Sequence, residues 1–91
     1  FIDTAEMYPV PPRAETYGIT ETYIGEWLKH QQRDRLIVAT KIIGAGRGFK
    51  WVRSGVNKVD RQNILQAVDD SLKRLQTDYI DLYQIHWSDR Y

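Results

Sequence analysis

Hydrophobic residues along this chain form five clusters, separated by polar, proline-rich or glycine-rich segments. Runs that are apolar at nearly every position are typical of strands covered on both faces, whereas apolar residues three and four apart are typical of helices. The pattern therefore predicts the order strand, helix, strand, helix, strand. The predicted elements are a strand ending at Asp3, a helix from Thr20 to about Gln32, a strand over 36–41, a helix after Asp60 and a strand over 79–86.

Both predicted helices have a start signal and an apolar stripe. Thr20 is the predicted N-cap of the first helix, because a hydroxyl there can bond the unpaired N–H groups of the first turn. Asp60 can cap the second helix in the same way. The first stripe consists of Ile24, Trp27 and Leu28, and the longer second stripe of Ile64, Leu65, Val68, Leu72 and Leu75. Residues 9–19 are predicted to be loop, since three prolines there lack backbone donors.

Alternation of strands and helices implies a parallel α/β sheet with right-handed crossovers. A (β/α)₈ TIM barrel typically needs roughly 250 residues, so this chain could hold about a third of one, with three strands and two helices. An open doubly wound sheet has the same local pattern. The sequence pattern alone leaves both architectures open.

Composition narrows the classes of partner and compartment. The chain has 91 residues, 13 basic and 12 acidic side chains, and a net charge of +1, so we expect neither nucleic acid nor a membrane surface as partner. Cysteine is absent, which excludes disulfides and allows a reducing compartment; we expect the cytoplasm. Both ends are expected to be truncated, because the chain starts at Phe1 rather than Met and stops soon after an apolar strand.

Three predicted strands end on residues suited to proton chemistry, namely Asp3, Lys41 and His86, and Tyr8 follows the first strand by five positions. Each has an ordinary alternative explanation: a turn for Asp3, packing for Tyr8, a solvent-reaching ammonium for Lys41 and a bonded core imidazole for His86. Because the carboxyl ends of parallel strands meet at one edge, we expect the four side chains to lie together.

Such a cluster suits carbonyl reduction. A phenol has an ordinary pKa near ~10, and a neighbouring ammonium stabilises its phenolate, so Lys41 would tune Tyr8 as proton donor. Asp3 would hold the ammonium in place, and His86 would orient or polarise the carbonyl. The hydride would have to come from a cofactor, because no side chain supplies one.

The remaining sequence motifs give weaker indications of function. The glycines after residue 43 do not match the spacing of a phosphate-binding loop, so that segment is interpreted as a barrel loop. Trp51 is interpreted as a loop anchor, whereas Trp87 is a candidate for substrate contact because it follows His86. No spacing of His, Asp or Glu residues suggests a metal site.

Several stretches of the chain resemble the aldo-keto reductase family, and one resembles its bacterial Tas-type branch. They are Asp3-Thr4-Ala5-x-x-Tyr8, Gly25-Glu26-x-Leu28, Ala39-Thr40-Lys41, residues 71–75, residues 78–87 and, for the Tas-type branch, residues 5–16. The resemblance covers nearly all of residues 1–91, which are interpreted as part of one barrel domain. In many members proline follows the histidine pair, whereas Ser88 follows Trp87 here.

The resemblance implies an NADPH-dependent oxidoreductase on a (β/α)₈ barrel, with Asp3, Tyr8, Lys41 and His86 as its catalytic tetrad. It also implies that Asp3 lies near the nicotinamide ribose, that His86 and Trp87 border a small carbonyl substrate, and that most cofactor contacts lie beyond residue 91. An alternative within the family is a regulatory subunit with little turnover. The isolated 91 residues are expected to be inactive and aggregation-prone or dimeric, because a partial barrel leaves strand edges unpaired.

Overall fold

A computed structural model describes residues 1–10, 13–43 and 60–86. Strand β1 is Ile2–Asp3, helix α1 is Ile19–Leu28, strand β2 is Val38–Ile42, helix α2 is Arg61–Leu75 and strand β3 is Leu82–Ile85; a single 3₁₀ turn, Arg33–Arg35, precedes β2. The predicted order of strands and helices is confirmed. The predicted barrel loop after residue 43, with Trp51, and the segment from Trp87 onward lie outside the described residues.

The three strands form one parallel sheet in the order β1-β2-β3. Asp3 is opposite Ala39 across the first pair, and Lys41 is opposite Gln84 across the second. Consecutive parallel strands joined by helices are the units from which a (β/α)₈ barrel is built. The parallel α/β sheet predicted from the alternation of strands and helices is confirmed.

Helix α1 begins one residue earlier than predicted, and Thr20 is not its N-cap. Gly18 occupies the N-cap in a left-handed conformation, with φ of 77°, and no side chain caps the helix. Glycine adopts that conformation without the steric cost that a Cβ imposes. The helix ends at Leu28 rather than near Gln32, because the next backbone bonds span three residues and tighten the chain toward the 3₁₀ turn.

Helix α2 has the predicted Asp60 cap, whose carboxylate accepts the Asn63 backbone N–H at 2.9 Å. The predicted stripe is only partly right. Leu75 is fully buried, but Leu65 is 53% exposed, and the positions that α2 buries instead are small or polar: Asn63, Ala67 and Ser71. The buried face of α2 is therefore centred on these small and polar residues and on Leu75, and not on the predicted stripe of large apolar residues.

The hydrophobic core lies between the helices and the sheet. Leu28 of α1, Val38 of β2 and Leu75 of α2 form its centre, and partly buried residues pack around them: Ile2, Ile24, Leu36 and Ile80. Val38 thus points toward the helices. Lys41, three positions later along a strand whose side chains alternate, points to the opposite face of the sheet.

The strands β2 and β3 are joined at their amino ends by one side-chain network. Arg33 donates to the Asp81 carboxylate at 2.8 Å and to the Tyr79 carbonyl at 2.8 Å, and Asp81 also accepts the Val38 N–H at 2.9 Å. The strands begin at Leu82 and Val38, later than the predicted starts at 79 and 36. At this end of the sheet the network's side chains bond the Tyr79 carbonyl and the Val38 N–H in place of backbone partners.

Gly25 is the point of closest approach between α1 and α2. A Cβ at Gly25 would overlap the Arg74 carbonyl oxygen and lie 2.8–2.9 Å from Leu75 backbone atoms. Backbone cannot rotate aside as a side chain can. Gly25→Ala is therefore expected to force the helices apart and lower the free energy of unfolding by about 1–3 kcal/mol or more.

The measurement is equilibrium denaturation of the full-length protein that contains this chain. Glu26→Ala is the matched control, since it adds no bulk and removes only exposed polar contacts from the next residue of the same helix; its effect should stay within about 0.5 kcal/mol. Equal stability of Gly25→Ala and wild type would show that the helix contact is not as close as described.

Candidate active site

The predicted site residues meet at the carboxyl edge of the sheet. Asp3 ends β1, Lys41 is the penultimate residue of β2 and His86 directly follows β3, while Tyr8 lies in the turn after β1. Parallel pairing brings these strand ends together, as expected. The structure thus brings all four residues into one cluster, whereas Trp87 lies outside the described residues.

Lys41 is fixed by two acceptors from the β1 segment. Its Nζ donates to Asp3 Oδ1 at 2.9 Å and to the Thr4 carbonyl oxygen at 2.8 Å. The lysine side chain is only 14% exposed, whereas the Asp3 side chain is 51% exposed. The hydrogen bond and charge of Lys41 hold the pKa of Asp3 below its ordinary value despite some opposing desolvation, so Asp3 is ionised at neutral pH.

Tyr8 lies close to both the ammonium and the imidazole. Lys41 Nζ is 5.3 Å from the centroid of the Tyr8 ring, within range of a cation–π attraction. The Tyr8 and His86 rings meet edge to face, with centroids 5.7 Å apart and planes at 84°. The Tyr8 N–H bonds to the Ala5 carbonyl at 3.2 Å in a turn, which returns Tyr8 toward the sheet edge; the Tyr8–Pro9 peptide bond is cis.

His86 is held by backbone and is partly buried. Its N–H donates to the Ile42 carbonyl at 3.0 Å, which continues the pairing of β3 with β2 by one residue. Burial, followed by repulsion from Lys41, lowers the pKa of the His86 imidazole below its ordinary value, although Glu6 and Asp3 oppose the shift. His86 is therefore neutral at pH 7 and can act as a hydrogen-bonding group without carrying charge.

Two residues at the site were not singled out from the sequence. Gln84 donates from Nε2 to Asp3 Oδ1 at 3.2 Å, so it shares that oxygen with Lys41. Its position could have been found, because Gln84 and His86 fall on the same face of a strand. Glu6 is the second. It is fully buried beneath the site and accepts the Ile43 N–H at 2.6 Å, a contact that no local pattern signals.

Neither a metal centre nor a membrane span is found within residues 1–10, 13–43 and 60–86. No cluster of three or more potential metal-ligating side chains occurs in those ranges. None of the helices described there has the length and apolar character needed to cross a bilayer.

The lowered pKa of His86 leads to a pH-dependent prediction. The imidazole should titrate below its ordinary value of about 6.5, and Lys41→Met should raise the titration midpoint because it removes a repelling positive charge. In Lys41→Met the His86 midpoint should still lie below the ordinary value, because the imidazole remains partly buried. Because the unfolded state then binds the His86 proton more tightly than the folded state, the free energy of unfolding should decrease as pH falls below about 6.5. At higher pH His86 is neutral in both states and should not affect that free energy.

NMR titration of the His86 ring resonances in the full-length protein measures this midpoint directly. Lys29→Met is the matched control, because it removes an exposed ammonium from the end of α1 that does not contact the site. A His86 midpoint at or above 6.5 in the wild type, or one unaffected by Lys41→Met, would contradict the described arrangement.

A protein-family model identifies the family of this chain. The aldo/keto reductase family model matches residues 1–91, and the chain belongs to that family. This result confirms the resemblance inferred from the sequence motifs.

Individual relatives give the same result. The chain is 59% identical over 91 residues to Protein tas of Escherichia coli (strain K12), with 98% of this chain and 26% of that protein covered. It is 40% identical over 90 residues to the aldo-keto reductase YhdN of Bacillus subtilis, with 97% and 24% covered. The similarity to the tas protein agrees with the predicted Tas-type branch. The chain spans about a quarter of the length of these relatives.

A solved structure extends the comparison to the fold. The chain matches a thermostable aldo-keto reductase, Tm1743, crystallised with the inhibitor epalrestat, at a TM-score of 0.72 and 34% identity. The match covers 97% of this chain and 25% of that protein. The three strands and two helices described above therefore correspond to part of an aldo-keto reductase.

Proposed function

We propose that the full-length protein containing this chain reduces aldehydes or ketones to alcohols, with NADPH as hydride donor. The observation that supports this most strongly is the cluster in which Lys41 contacts the Asp3 carboxylate and lies near the Tyr8 ring, which in turn contacts the His86 ring. The family to which the chain belongs supports an oxidoreductase, and the cytoplasm remains the proposed compartment.

Asp3 fits the contact that a nicotinamide ribose would need. Its two hydrogen bonds within the described residues both end on Oδ1, and about half of the side chain is exposed. The second carboxylate oxygen can therefore accept a hydrogen bond from a ribose hydroxyl while the first holds Lys41. When bound, the reduced nicotinamide supplies the hydride that no side chain can supply.

Tyr8 is the proposed proton donor. Its hydroxyl would give a proton to the carbonyl oxygen while a hydride adds to the carbonyl carbon, so the C=O group gains one hydride and one proton and becomes an alcohol. The nearby Lys41 ammonium stabilises the phenolate that remains, and Asp3 keeps that ammonium in position. Water then returns a proton to Tyr8.

His86 is proposed to orient the substrate. A neutral imidazole can donate one hydrogen bond to the carbonyl oxygen without competing as an acid with Tyr8. Its lowered pKa keeps it neutral at pH 7, and its contact with the Tyr8 ring directs both groups to the same small region. Polarising the carbonyl there would lower the barrier to hydride transfer.

The test is carbonyl-dependent oxidation of NADPH by the purified full-length protein on a panel of aldehydes and ketones. NADPH carrying deuterium at the transferable position should deliver the label to the carbinol carbon of the product, as read by mass spectrometry. NADH in place of NADPH tests the cofactor preference. A protein that binds NADPH but transfers no label to any carbonyl would favour a regulatory subunit over an enzyme.

A further inference from the structure

Glu6 is a buried carboxylate within the segment that joins Asp3 to Tyr8. None of its surface is exposed, although it lies only two residues from the proposed proton donor. A buried carboxylate is unfavourable unless hydrogen bonds satisfy it. The hydrogen-bond partners of Glu6 therefore show which segments it holds together.

Hydrogen bonds connect Glu6 to other segments of the described fold. Oε1 accepts the Ile43 backbone N–H at 2.6 Å, and Oε2 accepts the Tyr17 hydroxyl at 3.0 Å. The Glu6 backbone N–H donates to the Lys41 carbonyl at 3.1 Å. Glu6 thus contacts the chain on both sides of Ile42, at Lys41 within β2 and at Ile43 just after the strand ends.

These bonds join the two segments whose separation the chemistry depends on. Tyr8 follows Glu6 by two residues in a short turn, and Lys41 precedes Ile43 by two residues at the end of β2. The ladder between the two segments extends as far as the Glu6 N–H, whereas the Tyr8 N–H bonds to Ala5 within the turn, so the distance of Tyr8 from Lys41 is not set by strand pairing alone. The contact between the Glu6 side chain and Ile43 fixes the turn against the strand end.

We propose that Glu6 is a positioning residue, which sets the distance between the Tyr8 phenol and the Lys41 ammonium by anchoring the Tyr8 turn to the Ile43 N–H. The inference rests on the proposed carbonyl reduction for its kinetic consequence, but its structural part does not. Since a displacement of about 1 Å can cost about a hundredfold in rate, loosening this anchor should lower kcat without removing any reacting group.

Two variants of the full-length protein separate the effect of the length of the Glu6 side chain from the effect of its charge. Glu6→Asp keeps the carboxylate but is one methylene too short to bond Ile43 from the same backbone position. Glu6→Gln keeps the reach and a neutral carbonyl acceptor, which makes a weaker bond than a charged one. The proposal predicts that kcat falls about tenfold or more in Glu6→Asp and by a smaller but measurable factor in Glu6→Gln, with KM changed less than about threefold in both.

The matched control is Glu21→Asp, which shortens an equally buried carboxylate on the helix side of β2. Glu21 bonds Thr40 and Arg74, not the Tyr8 turn. This control should lower thermal stability but keep kcat of the folded protein within about threefold of wild type, because its contacts do not set the Tyr8 position.

Hydrogen exchange of the Ile43 amide tests the anchor independently of turnover. Exchange should accelerate by about tenfold in Glu6→Asp and by less in Glu6→Gln, in line with the loss of a charge-assisted bond. The Asn63 amide, which the Asp60 carboxylate holds in the cap of α2, should be unaffected in both.

The measurements distinguish a wrong positioning role for Glu6 from a wrong proposed function. Accelerated Ile43 exchange supports the anchor even if the wild type reduces no carbonyl, in which case only the proposed function is wrong. Wild-type kcat and Ile43 exchange in folded Glu6→Asp overturn the proposal. If Glu6→Asp does not fold, Glu6→Gln decides, because wild-type values for both measurements in that variant overturn the proposal as well.

Discussion

Replacing Tyr8 with phenylalanine is expected to lower kcat for carbonyl reduction by about 10²- to 10⁴-fold, the range typical of losing a general acid. Phenylalanine keeps the ring that meets His86 edge to face and lies near Lys41, and it removes only the hydroxyl. The change therefore separates proton donation from packing. Stopped-flow or steady-state measurement of NADPH oxidation in the full-length protein provides the rate.

Tyr23→Phe is the control for this prediction. It removes a hydroxyl from a tyrosine that is 70% exposed on α1, away from the strand ends, and should leave kcat unchanged. The dissociation constant for NADPH should also be similar in Tyr8→Phe and wild type, because the proposed role of the hydroxyl is toward the substrate and not toward the cofactor. A Tyr8→Phe enzyme with near wild-type turnover would mean that another group donates the proton.

The cluster was predictable because it depends on topology rather than on detailed packing. Asp3, Lys41 and His86 each follow or end an apolar run, and parallel pairing alone requires such positions to meet. Tyr8 could be added because only four residues separate it from Asp3. Their roles are a different matter: the distances support the proposed tetrad, and the Tyr8→Phe experiment tests it.

Contacts that depend on close packing were not predictable. Thr20 has the right chemistry for a cap, but the left-handed turn at Gly18 starts the helix first. Leu65 fits the apolar spacing of α2, yet it is 53% exposed, and the smaller or polar side chains of Asn63, Ala67 and Ser71 are buried instead. Glu6 gives no local signal, since its partner Ile43 is 37 residues away.

The second large effect is expected from the buried pair that joins both helices to β2. Both Arg74 Nε and Nη2 lie 2.7 Å from Glu21 Oε1, and the Thr40 hydroxyl donates to Glu21 Oε2 at 2.6 Å. The Glu21 side chain is completely buried. Burial alone would lower the pKa of Arg74, but the attraction and hydrogen bond of Glu21 outweigh it and raise that pKa.

Arg74→Met is expected to lower the free energy of unfolding by about 3–5 kcal/mol, because it leaves the Glu21 carboxylate buried without its counter-charge. The guanidinium also covers the Tyr17 ring at 5.2 Å, a contact that methionine only partly replaces. Lys73→Met is the matched control. It makes the same kind of change one residue earlier on the exposed side of α2, and should alter stability by no more than about 0.5 kcal/mol.

A double-mutant cycle distinguishes the pair from general packing. Removing both charges with Arg74→Met and Glu21→Leu leaves no buried ion unpaired, so the double variant should be far more stable than the sum of the single losses predicts. Chemical denaturation of the four full-length proteins gives the coupling free energy. Additive losses would mean that Arg74 and Glu21 stabilise the fold separately, through packing, and that their ion pair does not join α1 to α2.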